Sequence, residues 1–173
     1  MVLRKKFFSV KVPLLNSDVQ ALAFSLENLD GRVISYDLTR MLRGKNLVAN
    51  LRIHVKDGKA EAAFMSVEII RSYIIRLMRS NISYIEDSFV CDSKEGKIRI
   101  KPFLLTRKKV HRSVRTALRH KTKEFIIEYV STKSFDEIFD SILRATLQKE
   151  LSAKLKKIYP LSLCEIRSMK IGK

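Results

Sequence analysis

The sequence predicts an α+β domain: a curved antiparallel β-sheet, partly barrel-like, packed with three or four α-helices over residues 13–173, behind a basic N-terminal arm at 1–12. Three observations point there. Alternating apolar and charged residues run up to Asp57-Gly58 and away from it, and again around Glu95-Gly96, which marks two hairpins. The last third of the chain changes to helical spacing. No internal repeat or low-complexity tract divides the 173 residues, so one domain is the economical answer. Leu, Ile, Val and Phe make up 58 of them, about a third, well above the roughly one fifth below which chains stay disordered. A domain of this size buries roughly 70% of its unfolded surface and needs no disulfide or metal staple.

The elements follow in order. Arg4, Lys5, Lys6 and Lys11 come without an acid, an arm for a negatively charged partner to hold. Residues 13–31 are irregular apart from a strand expected around Ala21–Ser25. Arg32–Leu38 and Asn46–Lys56 read as strands; in the second, Leu51, Ile53 and Val55 face the core and Arg52, His54 and Lys56 face out. Asp57-Gly58 has the turn chemistry of a two-residue hairpin, so Lys59–Phe64 returns antiparallel. Residues 67–79 then show helical spacing, with Val67, Ile70, Ile74, Leu77 and Met78 on one face, Ser66 as N-cap and Glu68 in the first turn. The second hairpin joins 82–91 to 97–105, with Lys97, Arg99 and Lys101 turned outward.

A long helix is expected over 107–130, with Val110, Val114, Ala117, Leu118 and Phe125 on its inner stripe and a break near Lys121. Ser134 and Glu137 form a capping box ahead of Phe135, Ile138, Phe139, Ile142, Leu143 and Leu147. A further helix around Lys149–Ile158 stops before Tyr159-Pro160, and Leu163–Ile171 rejoins the sheet as the last strand.

Several function classes are excluded. Arg71, Arg76 and Arg79 cut the most apolar stretch, so no run approaches the roughly 20 residues that span a bilayer. The first residues are cationic like a secretory leader, but Lys11 and Pro13 interrupt the apolar segment that a leader requires. Cys91 and Cys164 sit in no motif, which fits a reducing compartment, and the chain reads as intracellular. Gly44-Lys45 fails as a phosphate loop, because the earlier glycine falls at Thr39 and the following hydroxyl at Asn46. His54, His111 and His120 have no partners at metal-ligand spacing. Glu86 and Asp87 are adjacent and would point to opposite faces of a strand. No nucleophile elbow or activated cysteine is present. No cofactor, metal or small-molecule substrate is expected.

What remains is charge. The chain has 35 Lys and Arg against 18 Asp and Glu, a net charge of +17. Arg107, Lys108, Lys109, Arg112, Arg115, Arg119, Lys121 and Lys123 follow one another, with His111 and His120 between them and no acid before Glu124. Like charges three or four residues apart on a helix cost a few tenths of a kcal/mol each, and nothing nearby in sequence offsets them. A phosphate polyanion supplies the missing counter-charge; about eight phosphate contacts give a salt slope of roughly −6 to −7. Phe7-Phe8 could stack on bases or anchor the first strand. Asp136, Glu137 and Asp140 form a separate acidic face.

The ordered series Gly31-Arg32-Val33, Asp37-Leu38-Thr39, Asp57-Gly58, Ile70-Arg71-Ser72-Tyr73, Lys94 to Pro102, and above all Lys157-Ile158-Tyr159-Pro160-Leu161 with Glu165-Ile166-Arg167, resembles the archaeal and eukaryotic small-subunit ribosomal protein family called S-one-e or S-three-A-e. The match is collinear over about residues 5–171. The resemblance implies a non-enzymatic constituent of the cytoplasmic small ribosomal subunit, on its platform near the mRNA exit. The partners it implies are small-subunit rRNA near its 3′ region, neighbouring ribosomal proteins, and mRNA near the exit channel; no membrane is among them. The parts matching the family's RNA-facing segments are Arg107–Arg119 and Arg4–Lys11. Lys156, Lys157 and Arg167, within or beside the last motifs, join the RNA-binding set, as do His111, His120, Lys121 and Lys123. This chain has Phe7-Phe8 where the family usually has a Trp, and Ser80-Asn81-Ile82-Ser83 where it is richer in Arg. Two other readings are a basic metal-dependent nuclease using Glu68, Glu86 and Asp87, and a free RNA-binding adaptor using the acidic face.

Overall fold

The computed structural model describes residues 4–42, 45–56 and 58–172. Strand β1 (Lys6–Val12) turns through a 3-10 segment at Pro13–Leu15 and Asn16, whose φ is 47°, into β2 (Ser17–Ala23), pairing from Lys6–Ala23 to Val12–Ser17. Seven residues of the expected arm are therefore a sheet strand. After a 3-10 turn at Glu27–Leu29 come β3 (Val33–Asp37), β4 (Leu47–Lys56) and β5 (Lys59–Ile69). Lys56 pairs with Lys59, so the hairpin closes where the sequence places it, with Gly58 at φ 72°; Asp57 lies outside the described residues. In β4, Leu51 and Ile53 are buried and Arg52, His54 and Lys56 exposed, as the alternation requires.

The expected helix over 67–79 shrinks to α1 (Arg71–Leu77), because β5 continues to Ile69. A bulge explains the difference. Asn50 pairs with Ser66 but Leu51 with Phe64, so Met65 is an extra residue on β5. Buried positions run Ala60, Ala62, Phe64 before it and Val67, Ile69 after it. The change of parity leaves spacings of three and four that imitate a helix. Ser66 is accordingly not a cap; its hydroxyl is buried and accepts a hydrogen bond from Asn50 Nδ2 at 3.0 Å. Glu68 lies on the strand, opposite Ser168.

The chain continues through β6 (Tyr84–Glu86), β7 (Phe89–Asp92), β8 (Lys97–Thr106), α2 (Arg112–Ser131), α3 (Phe135–Leu143), α4 (Thr146–Leu155) and β9 (Leu161–Ile171). Among the described residues the sheet has nine strands in the order β2-β1-β5-β9-β8-β6, with β4 and then β3 beside β5, and β7 beside β8. It is open rather than closed into a barrel. It is also mixed: β1 runs parallel to β5 at Val10–Ala60 and Lys11–Glu61. β9 lies between β8 and β5 and joins the two halves.

Helices α2, α3 and α4 pack against the sheet. α3 packs on β5 through Phe139 and Phe64, whose ring centroids are 5.1 Å apart; α4 packs on β9 and α2 on β7. Leu118, Ile126, Val130, Ile138, Phe139, Leu147, Leu151 and Leu155 are fully buried between these layers. The capping box forms at Ser134. Leu147 belongs to α4, because Ala145 at φ 58° ends α3's path, and α4 accordingly starts and stops three residues before the expected 149–158.

Candidate nucleic-acid interface

The helix expected over 107–130 begins at Arg112. Thr106, fully buried at the end of β8, sets this start: its Oγ1 accepts from the Ser83 N–H at 2.9 Å and donates to the Lys108 carbonyl at 2.7 Å, while the Val110 N–H donates to Ser83 Oγ at 3.1 Å. Residues 107–110 are thereby held as a turn, and His111 becomes the N-cap without a side-chain capping bond. Of the predicted inner stripe, Val110 and Val114 are half-buried, Leu118 and Phe125 are buried, and Ala117 is exposed. The buried row shifts to Leu118, Thr122, Phe125, Ile126 and Val130. Thr122 donates to the Leu118 carbonyl at 2.7 Å and keeps its hydroxyl satisfied in the core. The helix runs through Lys121 without a break, since Lys121 faces solvent and pairs with Glu124 at 3.0 Å.

Arg107, Lys108, Lys109, His111, Arg112, Arg115, Arg119, His120, Lys121 and Lys123 are all exposed. Lys109, Arg115 and Arg119 converge on an open cleft of about 480 Å³, walled by Ile82, Ser83, Tyr84 and Glu86. Among the described residues no ion pair reaches Arg107, Lys108, Lys109, Arg112, Arg115 or Arg119. The first turn of α2 holds no acid, so Arg112 and Arg115 lie at the positive end of the helix macrodipole, where an anion is favoured and a cation is not. Such an arrangement suits a phosphate by charge and direction.

The other candidates lie apart from this cleft. Arg4, Lys5, Lys6 and Lys11 are exposed on and before β1. Phe8 is half-buried against the core, whereas Phe7 is 69% exposed. Lys156 and Lys157 are exposed beyond α4. Arg167 is engaged by the Glu86 carboxylate, tying β9 to β6. The alternation left one basic row outside the candidate set: Arg99 on β8 lies directly opposite Lys170 on β9, on the face opposite the buried Ile98 and Ile100. The basic outward row of 97–101 was its sequence signal.

The carboxylates named for a nuclease are engaged elsewhere. Glu86 holds Arg167, Asp87 Oδ1 accepts from the Ser88 N–H at 2.8 Å, and Glu68 approaches Lys170 at 3.8 Å. No cluster of three or more His, Cys, Asp or Glu suited to a metal occurs among the described residues. Burial pushes the Cys91 thiol up to about 11 and the Cys164 thiol up to about 12, so neither is a thiolate at neutral pH. The buried Glu165 accepts from Lys45 Nζ at 2.6 Å, across the fold. Part of the acidic face is likewise used internally: Glu137 closes the capping box and Asp140 pairs with Arg144 at 2.8 Å.

The chain is 30% identical over 177 aligned positions to the small ribosomal subunit protein eS1 of Saccharolobus solfataricus, covering 98% of this chain and 85% of that protein. It is 27% identical over 165 positions to the protein of the same name from Nanoarchaeum equitans, covering 91% and 83% respectively. The profile of the Ribosomal S3Ae family matches residues 2–173. This single α+β domain, matched over residues 2–173 by that profile, belongs to the Ribosomal S3Ae family.

Proposed function

We propose that this chain binds small-subunit rRNA on the platform of the subunit, near the mRNA exit, by contacts to the phosphate backbone. The coarser part rests on the family: the chain is a structural, non-enzymatic protein of the cytoplasmic small ribosomal subunit, with rRNA and neighbouring ribosomal proteins as its partners. The observation that carries the finer reading is the start of α2, where Arg107, Lys108, Lys109, Arg112, Arg115 and Arg119 are in no ion pair among the described residues and the one carboxylate walling their cleft, Glu86, is engaged by Arg167. Phosphates supply the counter-charge. Arg4, Lys5, Lys6, Lys11, Lys156 and Lys157 add contacts elsewhere on the surface, and mRNA leaving the exit channel is a further partner of the same chemistry. Arg167 serves this site from behind, by fixing β6 through Glu86.

Titration of a platform rRNA fragment between about 50 and 200 mM salt tests the reading. Six contacts from the α2 start give a log–log slope of roughly −4 to −5. Affinity indifferent to salt, or failure to co-sediment with small subunits, overturns it.

A further inference from the structure

We propose that the outward face of the β1–β2 hairpin is a stacking platform for unpaired RNA bases, formed by Phe7 and Phe24 with Lys5 and Arg32 to hold the flanking phosphates. The proposal rests on the RNA-binding reading above and adds the form of RNA bound.

Strand alternation divides this hairpin cleanly. Val10, Val12, Ala21 and Ala23 point into the core, so Phe7, Ser9 and Lys11 point out, opposite Leu22, Gln20 and Asp18. One step beyond the Lys6–Ala23 pair, Lys5 Nζ lies 5.4 Å from the centroid of the Phe24 ring. Phe7 is 69% exposed, Phe24 47% and Leu22 40%. Its neighbour Phe8 already anchors the strand to the core, and among the described residues Phe7 is not part of that packing. The hairpin forms the end of the sheet. At its open edge the Arg32 guanidinium donates to the Leu22 carbonyl at 2.9 Å and brings another cation beside the rings.

Two aromatic rings among cations are the composition of a single-strand site. Every base offers a π-face to a ring, and the backbone that follows it needs positive charge. A duplex does not suit this surface, since its bases are already stacked and paired. A protein partner suits it less, because Lys5 and Arg32 flank a patch that among the described residues has three exposed apolar side chains, Phe7, Leu22 and Phe24.

The chain contains no Trp, so Phe7→Trp installs a sole indole reporter on the platform. An RNA strand of mixed sequence and the same strand annealed to its complement serve as probes. Anisotropy of the labelled RNA measures binding independently of the reporter. The single strand is expected to quench the indole while the duplex binds without quenching. Phe7→Ala and Phe24→Ala should each weaken single-strand binding roughly 5- to 100-fold and leave duplex binding unchanged. A bound single strand with an unquenched indole, or equal losses for both probes, overturns the platform and leaves the α2 site standing. Self-association of the native chain that disappears in Phe7→Ala also overturns it, by showing a protein contact. No binding of either RNA by the native chain overturns the RNA reading itself.

Discussion

Helices α2 and α3 follow one another along the chain and start in opposite ways. α3 begins with a complete set of local contacts. Ser134 Oγ accepts from the Glu137 N–H at 3.4 Å, the Glu137 carboxylate accepts from the Ser134 N–H at 3.0 Å, and Asp136 and Glu137 occupy the positive end of the dipole. α2 begins with no side-chain cap and no acid in its first turn, and it places Arg112 and Arg115 where acids belong. A cation there costs on the order of 0.3–1 kcal/mol. Such a start persists because Leu118, Phe125, Ile126 and Val130 hold the rest of α2 in the core. The two ends of one helix thereby differ: the later turns secure it in the core, and the first turns stay exposed, with Arg112 and Arg115 in no ion pair among the described residues.

The largest expected effect lies on the α3 side. Phe139→Ala should cost about 3–5 kcal/mol in denaturant unfolding, since the ring is fully buried against Phe64. RNA affinity should survive in whatever fraction stays folded. Next is Arg112→Glu with Arg115→Glu. RNA binding should weaken broadly and the salt slope should lose roughly 2 of its magnitude, while the melting temperature holds or rises, because acids suit the start of a helix. Unfolding of that double variant in circular dichroism would break the comparison, by showing that these side chains pack.

Ser134→Ala should cost about 1 kcal/mol, and no side chain capping α2 has an equivalent to lose. The same box predicts a pH effect. The backbone N–H of Ser134, bonded to the Glu137 carboxylate, holds its pKa below the ordinary 4.5. That contact stabilises fully above about 4.5 and is lost as pH falls through the lowered folded value. Glu137→Gln should therefore remove part of the acid sensitivity of thermal unfolding. The smallest effect concerns Arg99, directly opposite Lys170. Arg99→Glu should raise stability by about 0.2–1 kcal/mol. A loss instead would mean that like charges on this sheet are not the cost they are taken to be at the start of α2.

Much of this contrast is legible in the sequence. Ser134 and Glu137 specify their box within four residues, and the cations from 107 to 119 announce an uncompensated charge. The hairpin at Gly58 follows from alternation and turn chemistry. Other features are not legible, each for a physical reason. The bulge at Met65 reverses strand parity, so Val67, Ile70 and Ile74 keep a helical spacing that the chain does not use as a helix at its start. The start of α2 depends on Thr106 meeting Ser83, 23 residues away. Arg167 reads as a free cation in the sequence, because the Glu86 carboxylate that engages it lies 81 residues away.

Short-range physics was sufficient for what the sequence determined by itself: alternating strands, a capping box, a helix rich in cations, and a large positive net charge. Only the tertiary structure decided that β1 runs parallel to β5, that Phe8 turns inward and Phe7 outward, and which positive side chains are cancelled. Those outcomes depend on groups distant in the chain, and local propensity contains no term for a neighbour that folding has yet to bring near.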